Sequence, residues 1–364
     1  MIRASAVPCR LGTHRVLEPA GSLPQTAWRL DATPVARPNE ILCDVEALNV
    51  DSASFRQIAE TNGHDPALIA AHVLALVAER GKHHNPVTGS GGMFVGRVRT
   101  VGAELFESHA VRAGDRIASL VSLTLTPLRI EAIDRIDLAT GRLWIRGTAV
   151  LFASGSYARL PGDLPHDVAL AVFDVAGAPA QVRRLVRPGQ TVAVLGADGK
   201  SGLLACAQAR AVVGRDGRVV GIGPDRTTAG ARLLVECGYV DAFVEADARE
   251  TLALLAAVTE ALPYLADVTI NCVNVPGTEL ASILLTKDDG TVYFFSMSTS
   301  FTAAALGAEG VGKDVTMIVG NGYTKGHAAL ALQMLRDHPP LHAYFVSRYG
   351  AAGAPAPPSA AHAV

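Results

Sequence analysis

The stretch from Thr191 to Gly202, Thr-Val-Ala-Val-Leu-Gly-Ala-Asp-Gly-Lys-Ser-Gly, constrains this chain more than any other. A short apolar run drives into glycines at 196, 199 and 202, and beyond them apolar residues recur at spacings of three and four. A buried strand therefore turns directly into a helix. Glycine lets the backbone fold back tightly and come close to a ligand, whose negative charge is met by free N–H groups and the helix N-terminal dipole. Gly196, Ala197, Asp198, Gly199, Lys200, Ser201 and Gly202 form a candidate pyrophosphate cradle, to which Lys200 adds a positive side chain. A glycine triplet alone also fits a tight corner with no ligand, so its surroundings decide.

Around it, apolar runs at 191–195, 218–222, 240–244, 268–272, 291–296 and 315–319 alternate with helical patterns such as 201–213, 227–237 and 250–262. This alternation predicts an α/β domain, a Rossmann-type doubly wound parallel sheet, over residues 166–325. In that architecture an acid ending the second strand hydrogen-bonds the ribose 2'-hydroxyl of NAD. Here the second run is followed by Gly223, Pro224, Asp225 and Arg226. Asp225 could reach the ribose hydroxyls and Arg226 could pair with the 2'-phosphate of NADP, or both could simply cap the next helix. The expected cofactor is NAD, with NADP as the alternative. The carboxyl ends of the later strands, Asn271, Cys272, Val273 and Asn274, then Ser296 and Met297, lie where such a sheet binds ligands. An apolar strand end raises a thiol's pKa, which argues against Cys272 as a nucleophile.

Residues 1–165 differ, with short runs at 41–45, 94–98, 116–120, 143–145 and 149–152 broken by Pro, Gly and Asp, the pattern of an irregular β-barrel. One helix is expected at 66–80, with Leu68, Ile69, Val73, Leu76 and Val77 as its apolar stripe and Gly81 as terminator. Residues 326–349 are expected as a C-terminal helix returning near the first domain, and the Ala- and Pro-rich residues 350–364 as a mobile tail. The 364 residues carry 32 Lys and Arg against 34 Asp and Glu, a balance that gives no field for nucleic acid or an anionic membrane. No stretch of eighteen apolar residues and no leader-like h-region is visible, so the expected location is the cytoplasm. Cys9, Cys43, Cys206, Cys237 and Cys272 are odd in number and form no C-x-x-C, so neither a disulfide framework nor a zinc knuckle is expected.

A barrel-like domain followed by a Rossmann domain resembles the medium-chain dehydrogenase/reductase superfamily, whose first domain is GroES-like. Where its zinc members place a cysteine and a Gly-His-Glu, this chain has Asn49-Val50-Asp51-Ser52 and Gly89-Ser90-Gly91-Gly92, so no metal is expected. More specifically, the segments at 11–19 (LGTHRVLEP), 48–55 (LNVDSASF), 80–93 (RGKHHNPVTGSGGM), 174–181 (DVAGAPAQ), 271–276 (NCVNVP) and 320–327 (GNGYTKGH) resemble the L-erythro-3,5-diaminohexanoate dehydrogenase family. That resemblance implies oxidative deamination of (3S,5S)-3,5-diaminohexanoate with a nicotinamide cofactor. It also implies strand ends that flank the nicotinamide, and a homodimer with 320–323 near the partner. A zinc-free NADPH-dependent quinone or enoyl reductase shares the architecture, as does a nucleotide sensor without catalysis.

A carbon can release hydride to a nicotinamide only if the nitrogen it bears has a free lone pair, so the 3-ammonium must first lose a proton. Histidine is the default acceptor near neutral pH. His84, with His83 as alternate, follows the helix ending at Gly81 and is the expected base; Lys82 could act as base or grip the substrate carboxylate. The substrate's second ammonium needs an anion, for which Asp51 and Asp174 are candidates, while Arg15 and Arg56 are candidate carboxylate clamps. Each has a plain structural reading as well: a turn, a cap or a solvated side chain.

Overall fold

A computed structural model describes residues 9–107, 110–262, 264–296, 298–320 and 322–350. The chain divides into two compact units between Leu160 and Pro161, five residues before the expected boundary.

In the first unit, β1 (Val16–Glu18) pairs with β2 (Arg29–Leu30), and a six-stranded antiparallel sheet is built from β3 (Glu40–Val50), β4 (Gly92–Val101), β5 (Arg116–Ser119), β6 (Leu128–Asp137), β7 (Arg142–Phe152) and β8 (Tyr157–Arg159). Its order is β6-β7-β3-β4-β5-β8. Register shifts interrupt the pairing of β3 with both neighbours, the kind of irregularity that bends a sheet toward a barrel. The runs expected at 143–145 and 149–152 form one strand, β7.

Two helices, α1 (Ser52–Thr61) and α2 (Pro66–Arg80), stand between β3 and β4. For α2 the local signals suffice. The Asp65 carboxylate accepts the N–H of Ala67 at 2.7 Å, Pro66 opens the helix, and Gly81 closes it at φ 65°. Any Cβ at 81 would also lie 2.1 Å from the Leu30 carbonyl oxygen. Ile69, Val73 and Val77, four apart, are buried. Leu68, expected in that stripe, is 54% exposed because it sits about a quarter turn round from them.

The N-terminal strands are secured by a buried charge. Glu40, fully buried, accepts from Arg15 Nε at 2.8 Å and Nη2 at 2.6 Å, and lies 2.7 Å from His14 Nε2. Burial alone would push the Glu40 carboxyl up; the hydrogen bonds from Arg15, the Arg37 N–H and His14 hold it below its usual range. Arg15 also donates to the carbonyls of Thr33 and Val35, so the guanidinium expected to clamp a substrate carboxylate is fully occupied. That expectation is corrected: Arg15 is a structural cation, 1% exposed.

The second unit holds α3 (His166–Phe173), α4 (Gly177–Leu185), β9 (Thr191–Leu195), α5 (Lys200–Val213), β10 (Arg218–Gly223), α6 (Ala229–Glu236), β11 (Ala242–Glu245), α7 (Thr251–Ala261), β12 (Ala266–Asn271), α8 (Glu279–Leu284), β13 (Thr286–Phe294), α9 (Phe301–Val311), β14 (Val315–Val319), α10 (His327–Asp337) and α11 (Pro339–Tyr349). Its six strands are parallel in the order β11-β10-β9-β12-β13-β14, the doubly wound Rossmann arrangement. Strand order reverses between β9 and β12, which places the glycine turn at the switch point. The single helix expected at 326–349 is two, α10 and α11, because Pro339 restricts His338 to extended backbone. Both pack on helices of their own unit, α10 on α3, α4 and α5, and α11 on α3 and α6. The tail expected to be mobile falls, from 351 onward, outside the described residues.

Removing one partner of a buried ion pair strands the other charge, at roughly 3–5 kcal/mol. Glu40→Ala is therefore expected to lower unfolding stability of the first unit by that amount, read by denaturant titration of Trp28 and Trp144 fluorescence. A loss under about 1 kcal/mol would contradict the role given to this pair.

Candidate active site

At the end of β9 the chain turns through Gly196 at φ 71°, and a Cβ there would lie 3.1 Å from the backbone at Cys272 and Val273. Gly202 is required by a closer approach: its Cβ would sit 2.1 Å from the Gly196 oxygen and 2.6 Å from Ala197 Cα. Gly199 caps α5, leaving the first N–H groups of that helix pointing out of the turn. The Ala197 N–H bonds to Ile222 O at 3.0 Å, which fixes the turn to the end of β10. This cradle, with its small residues and its outward N–H groups, fits a dinucleotide pyrophosphate.

The charge of Lys200 is already matched. Its Nζ lies 2.5 Å from Asp174, and the ring of Tyr349 stands 5.7 Å away. Asp174, a candidate partner for a substrate ammonium, thus serves this ion pair at the end of α3, and that expectation is corrected. Beyond β10, Asp225 accepts the Thr227 N–H at 2.7 Å and its hydroxyl at 2.6 Å; Arg226 pairs with Glu245, its N–H at 3.0 Å and its Nε at 3.3 Å. Asp225 serves its own turn, and Arg226 ties that turn to the end of β11; the helix cap read as their alternative role falls to Thr228, whose hydroxyl accepts the Ala231 N–H.

At the later strand ends, Asn271 is fully buried. Its amide donates to Thr278 Oγ1 at 2.8 Å and Ser282 Oγ at 2.9 Å, and its oxygen accepts the Val273 N–H. It braces the β12 loop, where a ligand-facing amide was expected. The Cys272 N–H bonds to Leu195 O, and burial pushes its thiol up to about 12, as expected for an unreactive cysteine. Val273 is half-buried, Asn274 exposed, and the Ser296 hydroxyl accepts the Ser298 N–H. Met297 lies outside the described residues.

In the first unit the segment after α2 is held from both ends. Arg80 donates to the carbonyls of Trp28 and His84, its guanidinium 4.2 Å from the Trp28 ring centre. Lys82 is fully buried, and its ammonium donates to the carbonyls of Pro24 at 2.8 Å and Gln25 at 3.1 Å. Burial, then Arg80, lowers its pKa to about 8. Enclosed and tied to backbone, it is a tether for the 24–25 turn, correcting its expected role as base or carboxylate grip. His83 is also fully buried, both ring nitrogens lack a hydrogen-bonded partner among the described residues, and burial lowers its pKa to about 4. His84 alone of the three is partly exposed, with Nδ1 buried and unpartnered. Burial, then the cations Lys82 and Arg80, lowers its pKa to about 4 as well, so the imidazole is neutral at physiological pH.

The remaining loop is strapped to α1. Asn85 donates to Gln57 and accepts the Val87 N–H, while the hydroxyls of Ser54, Thr88 and Ser90 lie 2.9–3.1 Å from one another. Sequence reading missed this network; the Asn-Pro pair and the dense Ser and Thr content of 85–90 were its only signal. Asp51 accepts the Gly91 N–H at 3.0 Å, and a Cβ on Gly91 would meet the His83 carbonyl oxygen at 2.8 Å. Asp51, Gly91 and the 83–84 backbone are thus brought together. Arg56 is exposed on α1. Among the described residues no three His, Cys, Asp or Glu side chains converge as a metal site, and no helix is long and apolar enough to cross a membrane.

The model of the L-erythro-3,5-diaminohexanoate dehydrogenase N-terminal domain matches residues 14–161. Two curated relatives named L-erythro-3,5-diaminohexanoate dehydrogenase cover nearly the whole chain. One, from Acetoanaerobium sticklandii, is 53% identical over 94% of this chain and 99% of its own; the other, from Fusobacterium nucleatum, is 52% identical over the same shares. Among solved structures, a mycobacterial protein complexed with NADPH aligns over 88% of this chain and 84% of its own, with a TM-score of 0.51 at 16% identity, a likeness of fold. On whole-length identity above half, the chain belongs to the L-erythro-3,5-diaminohexanoate dehydrogenase family.

Proposed function

We propose that this protein oxidatively deaminates (3S,5S)-3,5-diaminohexanoate to (5S)-5-amino-3-oxohexanoate, a step of lysine fermentation, with NAD as cofactor and NADP as the weaker alternative. The observation that carries this reading is identity of 52–53% across 94% of the chain to enzymes bearing that name. The chain is an amino-acid dehydrogenase acting on a CH–NH2 group with a nicotinamide cofactor. When bound, the nicotinamide accepts the hydride; Gly196, Ala197, Gly199, Ser201 and Gly202 would hold the pyrophosphate of the same dinucleotide.

His84 takes the proton of the 3-ammonium, which frees the nitrogen lone pair so that the carbon can give up hydride. The imidazole passes that proton to solvent; the resulting iminium adds a water, whose proton the freed imidazole accepts and hands to the carbinolamine nitrogen, and the C–N bond breaks to leave the ketone, the hydroxyl proton departing with ammonia as ammonium. A neutral imidazole is the form an acceptor needs. Taking a proton from an ammonium of higher pKa costs roughly 1.4 kcal/mol per unit of difference. Asp51, oriented by the Gly91 N–H, is the anion for the 5-ammonium. Arg56, exposed on the adjacent helix, is the remaining candidate for the carboxylate.

The active form is proposed to be a homodimer. Among the described residues, β14 pairs on one side only, and Val319 at its end is 63% exposed, as are Phe301 (74%) and Leu306 (62%) on α9. An open strand edge with apolar flanks favours association.

Purified protein given 3,5-diaminohexanoate and NAD is expected to produce reduced nicotinamide and ammonia in equal amounts; absence of both would refute the deaminase reading. His84→Gln should lower kcat/KM by about 10²–10⁴-fold while NAD affinity stays unchanged. Because the His84 pKa is depressed to about 4, the acid limb of kcat/KM should fall near pH 4 and not near 6.5. A limb near 6.5 that survives in the variant would place the base elsewhere. Sedimentation should give twice the mass of the 364-residue chain, and a monomer at assay concentration would remove the dimer.

A further inference from the structure

We propose that Asp198, a residue of the glycine turn, is the carboxylate that holds the adenosine ribose of NAD and rejects the 2'-phosphate of NADP. The inference rests on the dinucleotide reading above. In a doubly wound sheet the ribose acid stands at the end of the second strand. Here that strand, β10, ends in Gly223, which has no side chain. The missing group comes from the neighbouring turn. A Cβ built on Gly223 would lie 2.6 Å from Asp198 Oδ1 and 3.2 Å from its Cγ, so the Asp198 carboxylate fills the space where a strand-end side chain would begin.

Contacts to Asp198 and to its neighbour Ala197 keep it there. The Thr228 hydroxyl donates to Asp198 Oδ2 at 3.1 Å, while Thr228 Oγ1 itself accepts the Ala231 N–H and caps α6. The Asp198 backbone is pressed against α6, where a Cβ on Gly230 would meet its carbonyl oxygen at 2.4 Å. One residue earlier, the Ala197 N–H is bonded to the end of β10. The ring of Phe243 stands 2.9 Å from the same Gly223 Cβ position and closes the side toward β11. Oδ1 accepts no hydrogen bond within the described residues, which leaves it for a ribose hydroxyl. The other acid nearby, Asp225, is committed to Thr227, and Arg226 to Glu245, so neither competes for this place.

A carboxylate fixed here donates nothing to a phosphate and repels it, while it accepts from the vicinal hydroxyls of NAD. A hydrogen bond to a charged group of this kind changes affinity by about ten- to a hundredfold.

The test is calorimetric titration of the full-length protein with NAD+, NADP+ and 2'-deoxy-NAD+, repeated on Asp198→Asn. The unmutated protein should bind NAD+ at least tenfold more tightly than either of the others. In Asp198→Asn the charge is gone while an amide oxygen still accepts, so the gap between NAD+ and its 2'-deoxy analogue should narrow, and NADP+ should gain at least tenfold relative to NAD+. Retention of the full NAD+ preference in a folded variant overturns the proposal, as does its loss in Asp225→Asn instead. Should Asp198→Asn not fold, the unmutated protein still decides, because equal affinity for NAD+ and 2'-deoxy-NAD+ excludes a ribose contact. Failure of the unmutated protein to bind any of the three overturns the dinucleotide reading itself, which separates the two results.

Discussion

The oxygen of Gly196 lies 2.1 Å from where a Cβ of residue 202 would be, and the second unit is arranged around that approach of backbone to backbone. It brings the first turn of α5 against the end of β9, so the helix dipole and its unpaired N–H groups face the sheet's switch point. The neighbouring strands then lock the turn, through the Ala197 N–H to Ile222 and the Cys272 N–H to Leu195. A single methyl group at 202 would force the strand and helix apart and misdirect the cradle. The same tightness puts Asp198 against Gly223 and Gly230, so small residues on three different elements answer one another.

The first unit solves a different problem, which is to hold a polar loop rigid beside a β-sheet. Residues 80–92 are tied by Arg80 to Trp28, by Lys82 to the 24–25 turn, by Asn85 and the Ser54, Thr88 and Ser90 hydroxyls to α1, and by Gly91 to Asp51. Three adjacent residues meet three fates here. Lys82 is consumed by carbonyls, His83 is sealed in, and His84 keeps one face open. In the proposed reaction a base held by so braced a loop would lose little entropy when substrate arrives, which is how preorganised groups gain rate.

Legibility followed the range of the signal. The bounds of β9, β14 and α2 could be read from the chain because apolar runs, an Asp-Pro start and a glycine stop act within a few residues. β6 escaped because its apolar residues alternate with Arg, Glu and Asp at a sheet edge, and α1 escaped because its turn-like start, Asp51-Ser52, masks the spacing of Phe55, Ile58 and Ala59. The site residues were legible as a set and less so by role. Arg15, Lys82, Asp174 and Asn271 have the chemistry of ligand-binding groups, yet each is spent on a partner that only folding brings near.

By itself the sequence determined the Rossmann order, the glycine cradle, the irregular first domain and the family, since these rest on periodicity, on residues that local backbone geometry demands, and on long segments that resemble one family. Tertiary structure alone decided which charges are free. Glu40 lies 25 residues from Arg15 and claims it; Asp174 lies 26 from Lys200 and claims it; Asp198 comes to the end of β10 across 25 residues of chain. A charged side chain does not announce its partner in its own neighbourhood, because the free energy of burying it depends on what the fold packs against it.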